Sequence, residues 1–348
     1  MNSEGNLSII DSLLTSADYL KLFDTYSFFR KNVRPQITII MYHRVGNNNE
    51  EWSVDAITTS IFEKQINYLI KTHKIVSLEK LAQNLIEQKK LPKKAIVITF
   101  DDGYKDNYKY AYPILKKYKI PATIFLTSGH IDNNKLFWWD KLGFMLLNLK
   151  QEEINLKDFG IIKPLSIQKN RNMFDETMIK FNKISEEKKL ELIKELENVF
   201  DKNLLKEIGK NKTLSWNEVR EMSENNIDFG AHTVNHPILT QISLKQAEHE
   251  ILHSKKDIEK KLNKTITTFS YPNGLANDYN SEIIKVLKKY GFICAVTRVP
   301  NTITSKTNLF ELGRVPPGWS FESFKFCVSG IYSDIYNAFK LGLNESKY

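Results

Sequence analysis

The sequence predicts an α/β barrel, and three observations carry that expectation. Seven short apolar runs read as buried strands. Helical patterns of period 3.6 follow most of them, the β-then-α order of a parallel sheet closed into a barrel rather than a short open one. The chain has 348 residues, 41% of them hydrophobic, enough for one large core.

Taken in order, residues 1–34 form an N-terminal segment in which 8–30 reads as an aromatic-rich amphipathic helix, expected to dock on the barrel rather than lie on a membrane surface. "QITIIMYH" (36–43) is the first strand, followed by an amphipathic stretch from Ser60 to Thr72. "AIVITF" (95–100) is the second, and a helix from about Asn107 to Tyr118 stops before Pro121 and the strand "ATIFLTSG" (122–129). Between about 133 and 212 the alternation lapses into "NNKLFWWDKLGFMLLNL" and the charged helix "SEEKKLELIKELENVF" (185–200). This stretch is expected to be a largely helical insertion on the barrel rim. Alternation then resumes with "IDFGAH" (227–232) and a helix over 244–262, where Leu244, Ala247, Ile251, Ile258 and Leu262 share one face. "TTFSYP" (267–272), a helix over 280–290, "ICAVT" (293–297) and "LFELGRV" (309–315) complete a barrel domain of 35–330, with 331–348 as a C-terminal helical tail.

Composition excludes several functions. The 50 Lys+Arg against 41 Asp+Glu give +9, but the lysines are spread over helix faces and no nucleic-acid-binding motif accompanies them. Neither G-x-G-x-x-G nor G-x-x-x-x-G-K-[ST] occurs, so a redox or kinase role has no support. Cys294 and Cys327 sit among apolar residues without ligand spacing and read as buried free thiols of a reducing compartment. Asp11 and Asp18 interrupt the first apolar stretch, no basic region precedes it, and no run of about 18 apolar residues occurs. The expectation is a cytoplasmic protein without a transmembrane segment, for which peripheral membrane contact stays open.

The chemistry begins at "TFDDG", where Asp101 and Asp102 end a buried strand. Side chains at the C-terminal ends of barrel strands face the site mouth, and adjacent ones diverge, so one carboxylate can bind a metal while the other handles a proton. Taken alone, the pair favours the plainer reading of an Asp that caps the following helix beside a solvated partner. "GAHTVNHP" sets His232 and His236 four apart after another strand, and Pro237 favours a tight turn there over a helix. Two imidazoles and a carboxylate suit Zn²⁺ or a similar divalent ion and leave coordination positions open, as a catalytic site requires.

In these two motifs the chain resembles the polysaccharide deacetylases, the NodB-homology or carbohydrate esterase family 4 enzymes, from about Ile37 to Pro317. The resemblance implies a deformed (β/α)₇ barrel that removes an acetyl group from an N-acetylhexosamine unit with a divalent metal, Zn²⁺ first and Co, Ni or Fe as alternatives. It makes Asp101 the general base and Asp102, His232 and His236 the metal triad. The family's Arg-x-Pro-Tyr stands here as "FSYPNG", with Ser270 in the arginine position. The backbone N–H of Asn273, after Pro272, would hold the oxyanion, and Arg314 in "ELGRVPP" could replace the missing arginine beside the base. The family's C-terminal Leu-x-His is missing, since no histidine follows His253; His43 in "MYHRV" then becomes the candidate general acid, as in a rearranged branch of the family. Tyr104 and Trp139, with Trp138, are candidates to stack on sugar rings, and Asp140 to bind a sugar hydroxyl. His249 and His253 read as helix-surface residues. The metal and base do not specify what lies beyond the carbonyl, so a non-sugar amide hydrolase and a metal-bound glycan-binding protein without turnover remain open.

Overall fold

The computed structural model describes residues 3–345 except 20, 34–35, 47–55, 134, 149–153, 157–159, 163–170, 199, 201, 211 and 302. The parts of the N-terminal segment, insertion and tail that fall on those numbers, or on 1–2 and 346–348, lie outside the described residues.

Seven parallel strands form a closed barrel: β1 (Gln36–Tyr42), β2 (Lys94–Phe100), β3 (Ala122–Leu126), β4 (Ile227–Ala231), β5 (Thr268–Ser270), β6 (Cys294–Thr297) and β7 (Leu312–Val315). Neighbours run β1-β7-β6-β5-β4-β3-β2, and β1 closes the ring on β2 in register from Gln36 opposite Lys94 to Tyr42 opposite Phe100. The barrel is deformed between β2 and β3. Those strands pair only at Thr99 and Phe100, while the short strand Lys74–Ile75 pairs with Ala95 and Ile96 near the start of β2.

Both faces of each strand are covered, which is why the strands read as continuous apolar runs. Ile40, Ile98, Phe100 and Ile124 pack outward with Phe62, Ile66 and Leu69 of helix Thr59–Thr72. Side chains of opposite parity, Ile39, Val97, Phe125, Val296 and Leu312, form a second cluster with Leu78, Leu81 and Leu85 of helix Leu78–Ile86. Cys294 and Cys327 are free and buried, and burial pushes both thiols up.

Several elements differ from expectation. The helix over 107–118 opens with a π-helical turn, Asn107–Ala111, before the α-helix Tyr112–Lys117. Pro113 has no N–H for the carbonyl four residues back and crowds it, so the backbone widens to an i−5 bond from Tyr112 to Asn107. Leu244 is 44% exposed at the first position of helix Leu244–Leu262, whereas Ala247, Ile251 and Ile258 are buried. The insertion holds an antiparallel pair, Ile154–Leu156 with Gly160–Ile162, besides its helices Trp138–Leu147, Arg171–Lys183, Glu186–Glu197 and Lys202–Gly209. Those helices enclose their own small core of Leu142, Met145, Phe181, Leu192 and Leu196.

The first segment is two helices, Ser3–Tyr19 and Leu22–Val33, separated at Lys21 by a left-handed φ of 56°. Both pack on helix Phe321–Ser329: the Phe23 and Phe326 rings lie 5.8 Å apart, and Lys325 pairs with Asp18 and Asp24. Trp319 Nε1 donates to Asp11 at 2.7 Å.

Candidate active site

Asp101 directly extends β2, its N–H donating to the Tyr42 carbonyl at 3.0 Å. It shares the parity of Val97 and so turns into the barrel. The backbone then bends sharply, with φ 74° at Asp102 and 81° at Gly103. A Cβ on Gly103 would stand 2.8 Å from Leu126 Cδ2, so only glycine fits without movement. This turn sends the two carboxylates in different directions.

Arg314 of β7 holds Asp101 in a fork, Nη1 to Oδ1 at 2.7 Å and Nη2 to Oδ2 at 2.6 Å. It also donates to the Thr297 carbonyl, Thr99 Oγ1 and Ser270 Oγ at 3.1, 3.2 and 3.0 Å, so all five of its N–H donors are engaged. The position where the family's arginine would stand is thus a serine that bonds to an arginine from another strand. Burial alone would raise the Asp101 pKa, but the Arg314 charge, with His232 and His43 nearby, holds it well below the usual carboxylate range.

His232 follows β4, and its Nδ1 meets the Ser270 carbonyl at 2.7 Å. That contact makes Nδ1 the N–H donor and leaves the Nε2 lone pair facing Asp102 Oδ1 at 3.5 Å. His236 Nε2 lies 3.6 Å from the same oxygen. The loop between them is strained, with φ 64° at Thr233 and 61° at His236. It is held by Thr233 Oγ1 on the His236 N–H and by Glu250, which accepts from the backbone of Val234 and Asn235 at 2.8 Å each.

The Asp102, His232 and His236 ligand atoms all lie within 4.8 Å of one another, and buried Asp102 Oδ1 has no hydrogen-bond partner among the described residues. Burial lowers the His236 pKa to about 3, so its imidazole is neutral at pH 7. An orphaned carboxylate oxygen facing two imidazole nitrogens is a donor set that fits a divalent cation.

A cavity of about 160 Å³ opens over these groups, lined also by His43, Met41, Trp138, Trp139, Tyr271 and Asn273. His43 is half-buried just past β1, and its carbonyl accepts from Asn107 Nδ2 at 2.8 Å. Asn273 takes a left-handed φ of 59°, pinned by its side chain donating to Asp278 at 2.7 Å. Trp139 meets His236 edge to face at 4.7 Å and stacks on Phe137 at 4.6 Å. Its Nε1 donates to the Tyr104 hydroxyl at 2.7 Å, which in turn donates to Asp140 at 2.9 Å.

Two residues expected at the substrate site, Asp140 as a sugar contact and Pro272 beside the oxyanion N–H, do not line the cavity. Asp140 is 1% exposed behind Tyr104 and Trp139, where burial pushes its pKa up to about 7. Pro272 is buried under the loop, its carbonyl accepting from Gly274 at 2.6 Å. His249 and His253 are exposed and stack on each other at 4.0 Å on helix Leu244–Leu262. Conversely, sequence reasoning missed Met178, Asn182 and Lys189 of the insertion and Arg298 after β6, which all line the cavity. Lys189 sits in a charged run that reads as a solvated face, yet it is 1% exposed, bonded to Glu186 at 2.7 Å and 4.8 Å over the Trp138 ring.

A family model described as polysaccharide deacetylase matches residues 88–295. The Bacillus subtilis protein YxkH, which carries a polysaccharide deacetylase name by assignment, is 24% identical over 304 residues, 86% of this chain and 79% of that one. A Staphylococcus aureus poly-β-1,6-N-acetyl-D-glucosamine N-deacetylase is 40% identical over 104 residues, 26% of this chain and 35% of its own. Among solved structures, the Streptococcus pyogenes deacetylase PplD in complex with acetate superposes with a TM-score of 0.56 at 22% identity, covering 84% of this chain and 98% of that one. IcaB from Ammonifex degensii gives 0.54 at 18% identity, covering 84% and 97%. At these identities the superpositions establish a shared fold.

Proposed function

The chain belongs to the polysaccharide deacetylase family, whose members hydrolyse N-acetyl amide bonds of polysaccharides, and from that premise we propose that it removes acetyl groups from N-acetylhexosamine units in a metal-dependent reaction. The observation that carries this reading is Asp101, gripped by Arg314, beside an orphaned Asp102 oxygen that faces two imidazoles in one cavity. The S. aureus relative supports β-linked N-acetylglucosamine as the first sugar to test.

Asp102, His232 and His236 would hold the divalent ion, Zn²⁺ by donor chemistry, with Co, Ni or Fe accepted by the same set. When bound, such an ion polarises the amide carbonyl and acidifies the attacking water. Asp101, ionised at neutral pH, takes the water proton, and the Arg314 fork fixes its orientation. The Asn273 N–H donates to the oxygen that gains negative charge as the carbonyl is attacked. As the C–N bond breaks, His43 delivers a proton to the departing nitrogen, and acetate and a free amine leave. Trp139 and Trp138 offer ring faces to the sugar, with Trp139 oriented through Tyr104 and Asp140.

The test is acetate release from N-acetylglucosamine oligomers and from lipid-linked and nucleotide-linked N-acetylhexosamines, after chelation and after Zn²⁺ or Co²⁺ add-back. Metal-restored release that Asp101→Asn abolishes supports the reading and names the acceptor. Stoichiometric metal binding with no release from any acceptor overturns it.

A further inference from the structure

Helix Leu22–Val33 buries Phe23 and Ser27, one turn apart, against the rest of the protein. Phe28 and Phe29 therefore fall off that face, 59% and 65% exposed, with Leu22 at 50% and Leu13 of the preceding helix at 65%. Two adjacent exposed phenylalanines are costly in water unless something covers them.

Phe28 also forms one wall of a groove of about 530 Å³ whose remaining lining is Lys71, Thr72, His73, Lys74, Pro92, Lys93 and Lys94. The groove holds four lysines and no carboxylate. Among the described residues none of the four makes an ion pair, although the chain pairs many other lysines with glutamate. Clustered like charges without counter-charges repel one another, and an anionic surface relieves that repulsion.

We propose that this end of the barrel is a docking surface for an anionic lipid bilayer, with Phe28 and Phe29 entering the interface and Lys71, Lys74, Lys93 and Lys94 meeting lipid phosphates. The exposed aromatics favour a bilayer over a soluble polyanion, which offers charge but no apolar depth. Each lysine close to an anionic membrane strengthens binding roughly fivefold. Among the described residues no helix is long and apolar enough to cross a membrane, so this attachment is peripheral.

The placement has a consequence for the catalytic cavity. Lys94 opens β2 and Asp101 follows its end, so the groove and the cavity lie at opposite ends of the barrel. Seven residues of strand separate them by roughly 23 Å. The docked protein would present its cavity away from the bilayer, toward glycan that extends from the surface.

Flotation with vesicles of phosphatidylcholine alone, and of phosphatidylcholine mixed with phosphatidylglycerol, tests this on the full chain. Binding should require phosphatidylglycerol, weaken in high salt, and fall at least tenfold in Phe28→Ala/Phe29→Ala and in Lys93→Ser/Lys94→Ser. Circular dichroism and thermal melting of each variant separate lost binding from lost folding. Absence of binding to the anionic vesicles, or binding indifferent to these substitutions, overturns the proposal. Capture by dextran sulfate that competes with vesicles and ignores the Phe28 and Phe29 changes would assign the groove to a soluble polyanion instead.

Discussion

Arg314 and Asp101 meet through two parallel hydrogen bonds of 2.7 and 2.6 Å, both residues almost fully buried and drawn from strands separated by β1. The pair sets the charge state of the cavity floor. A depressed carboxylate pKa contributes stability above the unfolded value of about 3.9 and loses it as pH falls through the folded pKa. In wild type that loss lies in strongly acid solution, because Arg314 holds Asp101 well below the usual range. In Arg314→Met the burial that opposes ionisation is countered only by His232 and His43, and the Asp101 pKa rises. The acid limb of the kcat/KM profile should therefore move to higher pH, with a stability loss of about 3–5 kcal/mol for a buried charge left unpaired. An unchanged acid limb in a folded Arg314→Met would contradict this role.

Asp101→Asn keeps the volume and can still accept from Arg314, but it cannot take a proton. Turnover of an N-acetylglucosamine oligomer should fall by roughly 10²–10⁴ while metal content, read by elemental analysis, stays at the wild-type level. Joint loss of metal would place Asp101 among the ligands instead.

His232→Gln and His236→Gln should each lower metal affinity, because the three donor atoms lie within 4.8 Å and leave no substitute among the described residues. Competition with a chromogenic chelator reads that loss directly. Metal stabilises the folded state by an amount that grows with the logarithm of its concentration over Kd, so chelation should lower the wild-type Tm more than it lowers that of either variant.

Much of this site is legible in the sequence because its parts end strands. Asp101, Asp102, His232 and Arg314 follow or lie within apolar runs whose parallel packing brings their ends to one rim. His43 is found the same way, one residue past β1. The helices of the insertion are legible, but which of their side chains reach the cavity is not, because that depends on long-range packing. Lys189 reads as surface and is buried, and Met178 and Asn182 reach the cavity from a helix far along the chain. Asp140 shows the other failure: a carboxylate next to two tryptophans suggests a sugar contact, but helix Trp138–Leu147 turns Trp139 toward the cavity and Asp140 into the wall.

That buried position gives the Asp140–Tyr104–Trp139 relay its own signature. Burial raises the Asp140 pKa to about 7, the opposite of Asp101. A raised carboxyl favours folding below the unfolded pKa, and stability then falls as pH rises from about 3.9 toward 7, where the unfolded chain has released its proton and the folded one has not. The loss is at most about 4 kcal/mol, at about 1.4 kcal/mol per unit. Asp140→Asn still accepts from the Tyr104 hydroxyl but does not titrate. Its Tm should match wild type near pH 4 and exceed it near pH 8. Tyr104→Phe breaks the relay instead, removing the acceptor for Trp139 Nε1, and should raise KM for a sugar oligomer more than it lowers kcat. Equal effects of Tyr104→Phe on kcat and kcat/KM would mean that the relay serves the chemical step rather than the hold on the sugar.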